Sequence, residues 1–121
     1  MSNYIRTDVE ISIKEGMLDD FKALINKMIQ NTDAKEPNAL VYEWYISEDG
    51  RECHLLETFK DSDAFIVHLK NVSDFLGPLW DLSTLTGFKT FGNPSAELQQ
   101  ALASFPEPIQ YFPHSNGLTR D

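Results

Sequence analysis

The chain opens on an alternation. Across residues 4–14, Ile5, Val9, Ile11 and Ile13 fall on one face, and Arg6, Asp8, Glu10 and Ser12 on the other. A period of two marks a strand half covered by a core. Gly16 breaks the pattern. Met17, Leu18, Phe21, Leu24, Ile25, Met28 and Ile29 then recur at three- and four-residue spacing. That spacing predicts an amphipathic helix with one buried stripe. Asp19 and Asp20 stand near its start, where the helix dipole favours anions. Asn31-Thr32-Asp33 and then Glu36-Pro37-Asn38 end it.

Residues 39–47 read as a second strand, rich in β-branched and aromatic side chains. Leu40, Tyr42, Trp44 and Ile46 form one face; Ala39, Val41, Glu43 and Tyr45 form the other. Glu48-Asp49-Gly50 is a hairpin signal, since Asp-Gly supplies the positive φ of a tight reversal. Residues 52–59 are the return strand, with Leu55 and Phe59 on one side and Leu56 on the other. Asp61-Ser62-Asp63 caps a second helix, on which Ala64, Phe65, His68, Leu69 and Val72 share a face. From Ser73 to Leu82 the spacing is less regular, and Gly77-Pro78 predicts a break. Residues 83–92 are a last strand of this series. Asn93-Pro94 opens a third helix, with Leu98, Leu102 and Phe105 on its apolar side. The tail from Pro106 reads as loop, although it carries Ile109, Tyr111 and Phe112.

The order βαββαβ is the ferredoxin-like split βαβ arrangement of the α+β class. It predicts an antiparallel sheet with both helices on one face. Residues 1–92 suffice for that domain. Residues 93–121 add a C-terminal helix and an extended tail, packing on the domain or on a partner. The helix-free face of the second and third strands is too apolar to sit in water. Either the C-terminal tail covers it, or two sheets packed face to face in a two-fold homodimer bury it.

Composition narrows the picture. A chain of 121 residues sets a prior of one domain. The formal net charge is −9, and the basic residues are scattered singly. Nucleic acid and anionic membrane surfaces would repel such a molecule. No segment approaches the length of a membrane span, and the first residues show no secretory pattern. The lone Cys53 has no disulfide partner, so a reducing cytoplasm is the expected compartment. Three dispersed histidines and one cysteine give no metal-ligand spacing. No glycine-rich phosphate loop and no G-x-S-x-G elbow occur. No nucleotide, metal or serine-hydrolase reading therefore has support.

Few residues remain to carry chemistry. His68 shares the inward helix face, where an imidazole can act as a base. Its plainer role is a buried hydrogen bond tying helix to sheet. Glu57 sits in an otherwise apolar strand and could orient His68; its plainer role is an ion pair. Tyr42 and Trp44 are either core or a substrate platform. Phe65 shares the face of His68. Phe75 and Trp80 fall in the irregular stretch, which reads as a pocket lid or as packing around a kink. Cys53 and His54 point to opposite faces and cannot act as a nucleophilic pair. His114 lies in the loose tail.

The run Glu57-Thr58-Phe59-Lys60-Asp61-Ser62-Asp63-Ala64-Phe65-Ile66-Val67-His68 resembles the antibiotic biosynthesis monooxygenase domain. The opening strand followed by Gly16 and Phe21, and Tyr42-Glu43 in the second strand, are similar to it too. The likeness spans residues 4–92. It implies a dimeric ferredoxin-like α+β barrel with a small-molecule pocket between sheet and helices. It also implies oxidation of a small aromatic or quinol-type substrate by molecular oxygen, with neither metal nor flavin. His68 and Glu57 would then be catalytic, and Tyr42, Trp44, Phe65, Phe75 and Trp80 would bind substrate. The haem-degrading branch is a poorer match. The first strand has Thr7 and Asp8 where that branch has asparagine, and Gly77-Pro78-Leu79 stands where its haem ligand would be. The competing expectation is a non-catalytic binding or structural dimer of the same fold.

Overall fold

The computed structural model describes residues 3–120. The elements run β1 (Ile5–Ile13), α1 (Leu18–Lys35), β2 (Ala39–Ile46), β3 (Glu52–Phe59), α2 (Ser62–Leu82), β4 (Ser83–Phe91), α3 (Ala96–Leu102) and β5 (Ile109–Phe112). The five strands form one sheet in the order β2-β3-β1-β4-β5. The first four are antiparallel to their neighbours, as the ferredoxin-like reading requires. The alternation of β1 survives intact: Ile5, Thr7, Val9, Ile11 and Ile13 are buried, and the residues between them face outward. Phe21, Ile25 and Met28 of α1 meet Phe65, Val72 and Leu79 of α2 over that inner face.

Four expectations change. The first helix runs on to Lys35, because Thr32 is buried on its core stripe, Asn31 bonds the Asn71 carbonyl of α2, and Asp33 is tolerated on the wet side. Pro37 sets its true end, since proline pushes the preceding residue out of the helical basin. The second helix does not break at Gly77-Pro78 but continues to Leu82. Asp74, Gly77 and Pro78 are all exposed, so the carbonyl that Pro78 cannot serve meets water, while Val72 and Leu79 hold the core side. Leu40 does not share the face of Tyr42 and Trp44. A register shift between Ala39 and Val41 throws it out to 45% exposure.

The fourth change concerns the tail. Residues 109–112 form β5, which pairs in parallel with β4, so the sheet is not wholly antiparallel. The crossover carries α3, capped by Ser95 rather than opened at Pro94, with Leu98 and Leu102 fully buried in the same core. The alternating Ile109 and Tyr111 pack inward against that core, and Phe112 stacks on Phe91 on the outer face with ring centroids 5.3 Å apart.

The outer face is mixed rather than apolar throughout. Its central strand presents Arg6, Asp8, Glu10 and Ser12. Exposed apolar side chains flank this stripe: Val41, Tyr45 and Leu56 on one side, Phe91 and Phe112 on the other. Among the described residues no helix is long and apolar enough to cross a membrane.

Candidate active site

The register of the sheet builds the site. Thr7 pairs with Thr90 on one side and with Glu57 on the other, and Glu57 pairs with Tyr42. One row of four strands therefore carries Thr90, Thr7, Glu57 and Tyr42 across an otherwise apolar inner face. Thr7 donates its hydroxyl to Glu57 Oε1 at 2.7 Å. Over this row lies His68, projected inward from α2.

His68 is 3% exposed and sits between two buried carboxylates. Its Nε2 is 3.1 Å from Glu57 Oε2. Its Nδ1 is 3.0 Å from both oxygens of Glu36, the residue that ends α1. Asn71, one turn along α2, donates to the same Glu36 carboxylate at 2.6 Å. The imidazole also rests between the rings of Tyr42 and Phe59, with each centroid 5.0 Å away.

These contacts decide the charge. Burial alone would lower the His68 pKa, but the hydrogen-bonded Glu36 and the adjacent Glu57 outweigh it and push it up to about 9. At neutral pH the ring is an imidazolium. It holds a proton instead of seeking one, which removes the lone pair a base needs. Burial would raise the Glu36 carboxyl, yet the bonds from His68 and Asn71 win and hold it below the usual carboxylate range. Burial, and next the Glu57 charge, raise the Tyr42 phenol far above its ordinary value.

The imidazolium and Glu57 stand at the wall of a cavity of about 40 Å³, lined also by Tyr42, Trp44, Phe65, Leu76, Trp80 and Phe105. Small-molecule pockets measure about 300–1,000 Å³, so the space as it stands is far too small for an aromatic ring. Among the described residues the Tyr42 hydroxyl and the Trp44 indole nitrogen, both buried here, meet no hydrogen-bond partner.

Six of the seven residues singled out from the sequence thus meet around one space: His68, Glu57, Tyr42, Trp44, Phe65 and Trp80. Phe75 does not. It is half-buried on the continuous α2 and lines no part of the cavity. Trp80 reaches the wall from a helix and not from a lid loop, because α2 does not break. Sequence reasoning missed Glu36, Asn71 and Thr7. Thr7 was legible in principle, as a polar residue in register with Ile5 and Val9. Glu36 was hidden by its place in a helix-ending Glu-Pro pair.

Other chemistry is weaker. Cys53 is buried, and burial pushes its thiol up to about 12, far from a nucleophile's range. His54 faces the opposite way, as adjacent strand residues must, and its Nδ1 is 2.8 Å from Asp8. Asp8, Glu10 and His54 bring donor atoms within 4.8 Å of one another on the outer face. They already satisfy each other, with Lys89 on Glu10 and His54 on Asp8. An open groove of about 610 Å³, walled by Arg6, Asp61 and His114 among others, lies apart from His68.

Among solved structures the chain is similar to MupZ from Pseudomonas fluorescens, at 23% identity and a TM-score of 0.82, over 98% of this chain and 96% of that one. It is similar to SnoaB, a cofactor-independent oxygenase from Streptomyces nogalater, at 14% identity and a TM-score of 0.66, over 78% and 97%. It is also similar to Rv0793 from Mycobacterium tuberculosis, at 19% identity and a TM-score of 0.65, over 76% and 96%. At such identities the likeness is one of fold. No curated protein sequence matches the chain. The sequence pattern of the antibiotic biosynthesis monooxygenase family does match it, over residues 5–73, more than half its length, and the chain belongs to that family.

Proposed function

We propose that this protein oxidises a small, electron-rich hydroxyaromatic or quinol-type molecule with molecular oxygen, using neither metal nor flavin. The observation that carries this reading is the His68 imidazolium held against Glu57 at the wall of an aromatic cavity. Glu57 is the base. It takes the phenolic proton, and His68, already charged, holds the phenolate that results. The phenolate passes an electron to oxygen, the two radicals combine, and the peroxide loses water. A hydroxyarene and one O₂ give one quinone and one water. The substrate supplies all four electrons, so no reductant is required. Tyr42, Trp44, Phe65 and Trp80 enclose the ring, and burying it requires Trp80 and Phe105 to swing aside. The family and the cofactor-independent activity named for SnoaB support the reading.

The assembly belongs to the same proposal. A second copy covers the outer sheet face, seated on Val41, Tyr45, Leu56, Phe91 and Phe112, which are exposed here. Residues 1–92 are the family unit, and 93–121 are a C-terminal extension that the match to MupZ, over 98% of this chain, also takes in. The lone, buried Cys53 suits a reducing cytoplasm.

The decisive experiment is oxygen uptake with a panel of hydroquinones and naphthols. Wild type consumes oxygen, and Glu57→Gln loses at least about 100-fold, the scale of general-base catalysis. No uptake on any member, or an unchanged Glu57→Gln rate, sinks the reading. The tight cavity, about 40 Å³, favours a second one: a non-catalytic module whose buried charges serve stability. In that case hydroquinones neither react nor shift the fluorescence of Trp44 and Trp80.

A further inference from the structure

Glu36 lines no part of the cavity, yet it makes the closest set of contacts to His68. Its position is unusually constrained. Its N–H closes the last turn of α1 on the Thr32 carbonyl at 2.9 Å, and its own carbonyl accepts from Ala39 N–H at 3.2 Å. Pro37 follows, which bars Glu36 from the helical basin; its φ of −128° and ψ of 80° lie outside it. The backbone is thus fixed on both sides, and the side chain turns inward beneath α2. There the carboxylate spans His68 and Asn71, three residues apart on one helix face. Asn71 is held in turn by Asn31, which reaches its carbonyl at 3.5 Å.

Every element packed around the imidazole presents a known group. Glu36 comes from the end of α1, Tyr42 from β2, Glu57 and Phe59 from β3, and Asn71 from α2; Thr7 of β1 touches it only through Glu57. Tyr42 is neutral and Asn71 uncharged, so two carboxylates alone oppose the loss of the ring proton. Glu57 must surrender its charge when it takes a proton from substrate. Glu36 does not touch substrate and keeps its own.

We infer that Glu36 is the positioning residue of this site, fixing the His68 ring through Nδ1 and keeping it an imidazolium while Glu57 is protonated. This rests on the reading of Glu57 as base and His68 as the anion-holding group. Without Glu36, the phenolate would be the one anion left against His68 once Glu57 is protonated, and nothing on the Nδ1 side would keep the ring proton from passing to it.

The test follows the His68 ring by ¹³C and ¹⁵N NMR across pH in the substrate-free protein, so it stands whether or not an oxidisable substrate is found. In wild type the ring is doubly protonated at pH 7.5. Glu36→Gln keeps an acceptor for Nδ1 but removes the charge, and the His68 midpoint falls by about 1–3 pH units. Glu36→Asp keeps the charge and restores most of the wild-type midpoint. With an active substrate, the alkaline limb of the rate profile moves down by the same interval in Glu36→Gln. A neutral His68 in wild type at pH 7.5 overturns the inference even if Glu36→Gln does not fold. So does an unchanged midpoint in folded Glu36→Gln. A doubly protonated ring and a lowered Glu36→Gln midpoint without oxygen uptake would sink the oxygenase reading and leave standing that Glu36 fixes and charges the His68 ring.

Discussion

Two histidine–carboxylate pairs sit on opposite faces of the same sheet. His54 meets Asp8 on the outer face at 2.8 Å, and His68 meets Glu57 on the inner face at 3.1 Å. By distance the outer pair is the better one. By surroundings it is the poorer: the His54 and Asp8 side chains are 49% and 24% exposed, against 4% each for His68 and Glu57. Water screens the first pair, while nothing screens the second. The inner pair also has what a buried charge needs, with Thr7 on Glu57 and Glu36 on the far side of the ring. The lesson is that distance alone does not identify a site; desolvation and the completeness of the network do.

The largest effect that could break this comparison is on stability. His68→Ala leaves Glu36 and Glu57 buried with no cation between them. Stranding buried charges costs about 3–5 kcal/mol, a large part of the stability of a small domain. Urea unfolding followed by Trp44 and Trp80 fluorescence measures it. His68→Ala therefore unfolds at much lower urea than wild type, and a loss under about 1 kcal/mol would make the inner pair no different from the outer.

Next in size is assembly. Leu56→Glu places a charge on the outer face beside Asp8, its register partner. Sedimentation at micromolar concentration gives a dimer for wild type and a monomer for this variant. A monomeric wild type would mean that the outer face stands in water unaided.

The pH dependence comes third, and its sign separates the pairs further. The folded His68 pKa, about 9, lies above the ordinary imidazole value of about 6.5. A raised pKa contributes stability that is complete below the unfolded value and lost as pH rises through the folded one. Glu36, held low, contributes stability present above its unfolded value and lost as pH falls. The melting temperature is therefore highest between about pH 5 and 6.5 and declines towards pH 9. Glu36→Gln flattens the alkaline decline. A melting temperature that still rises between pH 7 and 9 contradicts the assignment.

The same contrast explains what the chain disclosed before folding. Periodicity exposed β1 because each turned-in residue is two from the next. Local spacing also put His68 on the inward face with Phe65, Leu69 and Val72. What it could not give was register. Thr7, Glu57 and Tyr42 stand side by side only because β1, β3 and β2 pair at those positions, and no local pattern fixes which residue faces which. Glu36 was further out of reach. It belongs to no stripe, it reads as punctuation before Pro37, and its partners are 32 and 35 residues away. Pro78 misled in the opposite direction, since on the wet side of a helix the carbonyl that a proline leaves unpaired is satisfied by water, and the buried face of α2 holds the helix through it. The tail kept β5 hidden because four residues paired in parallel carry too short an alternation to register as a strand.

The smallest expected effect is the sharpest control. Asp8→Asn removes the charge that His54 meets and leaves the shape of the side chain unchanged. An exposed ion pair contributes about 0–1 kcal/mol and weakens with salt, because water and counterions already solvate both groups. Measured at nanomolar concentration, where a dimer of modest affinity dissociates, Asp8→Asn shifts the unfolding free energy by under about 1 kcal/mol, and 1 M salt erases the difference. Raising the protein to a concentration at which the dimer forms desolvates the outer face, and the cost of Asp8→Asn grows. If the cost stays below 1 kcal/mol in the dimer too, the second copy does not dry the centre of that face. The outer pair would then lie within reach of solvent even in the assembly, while His68 and its two carboxylates would still hold the only dry charges among the histidine pairs described.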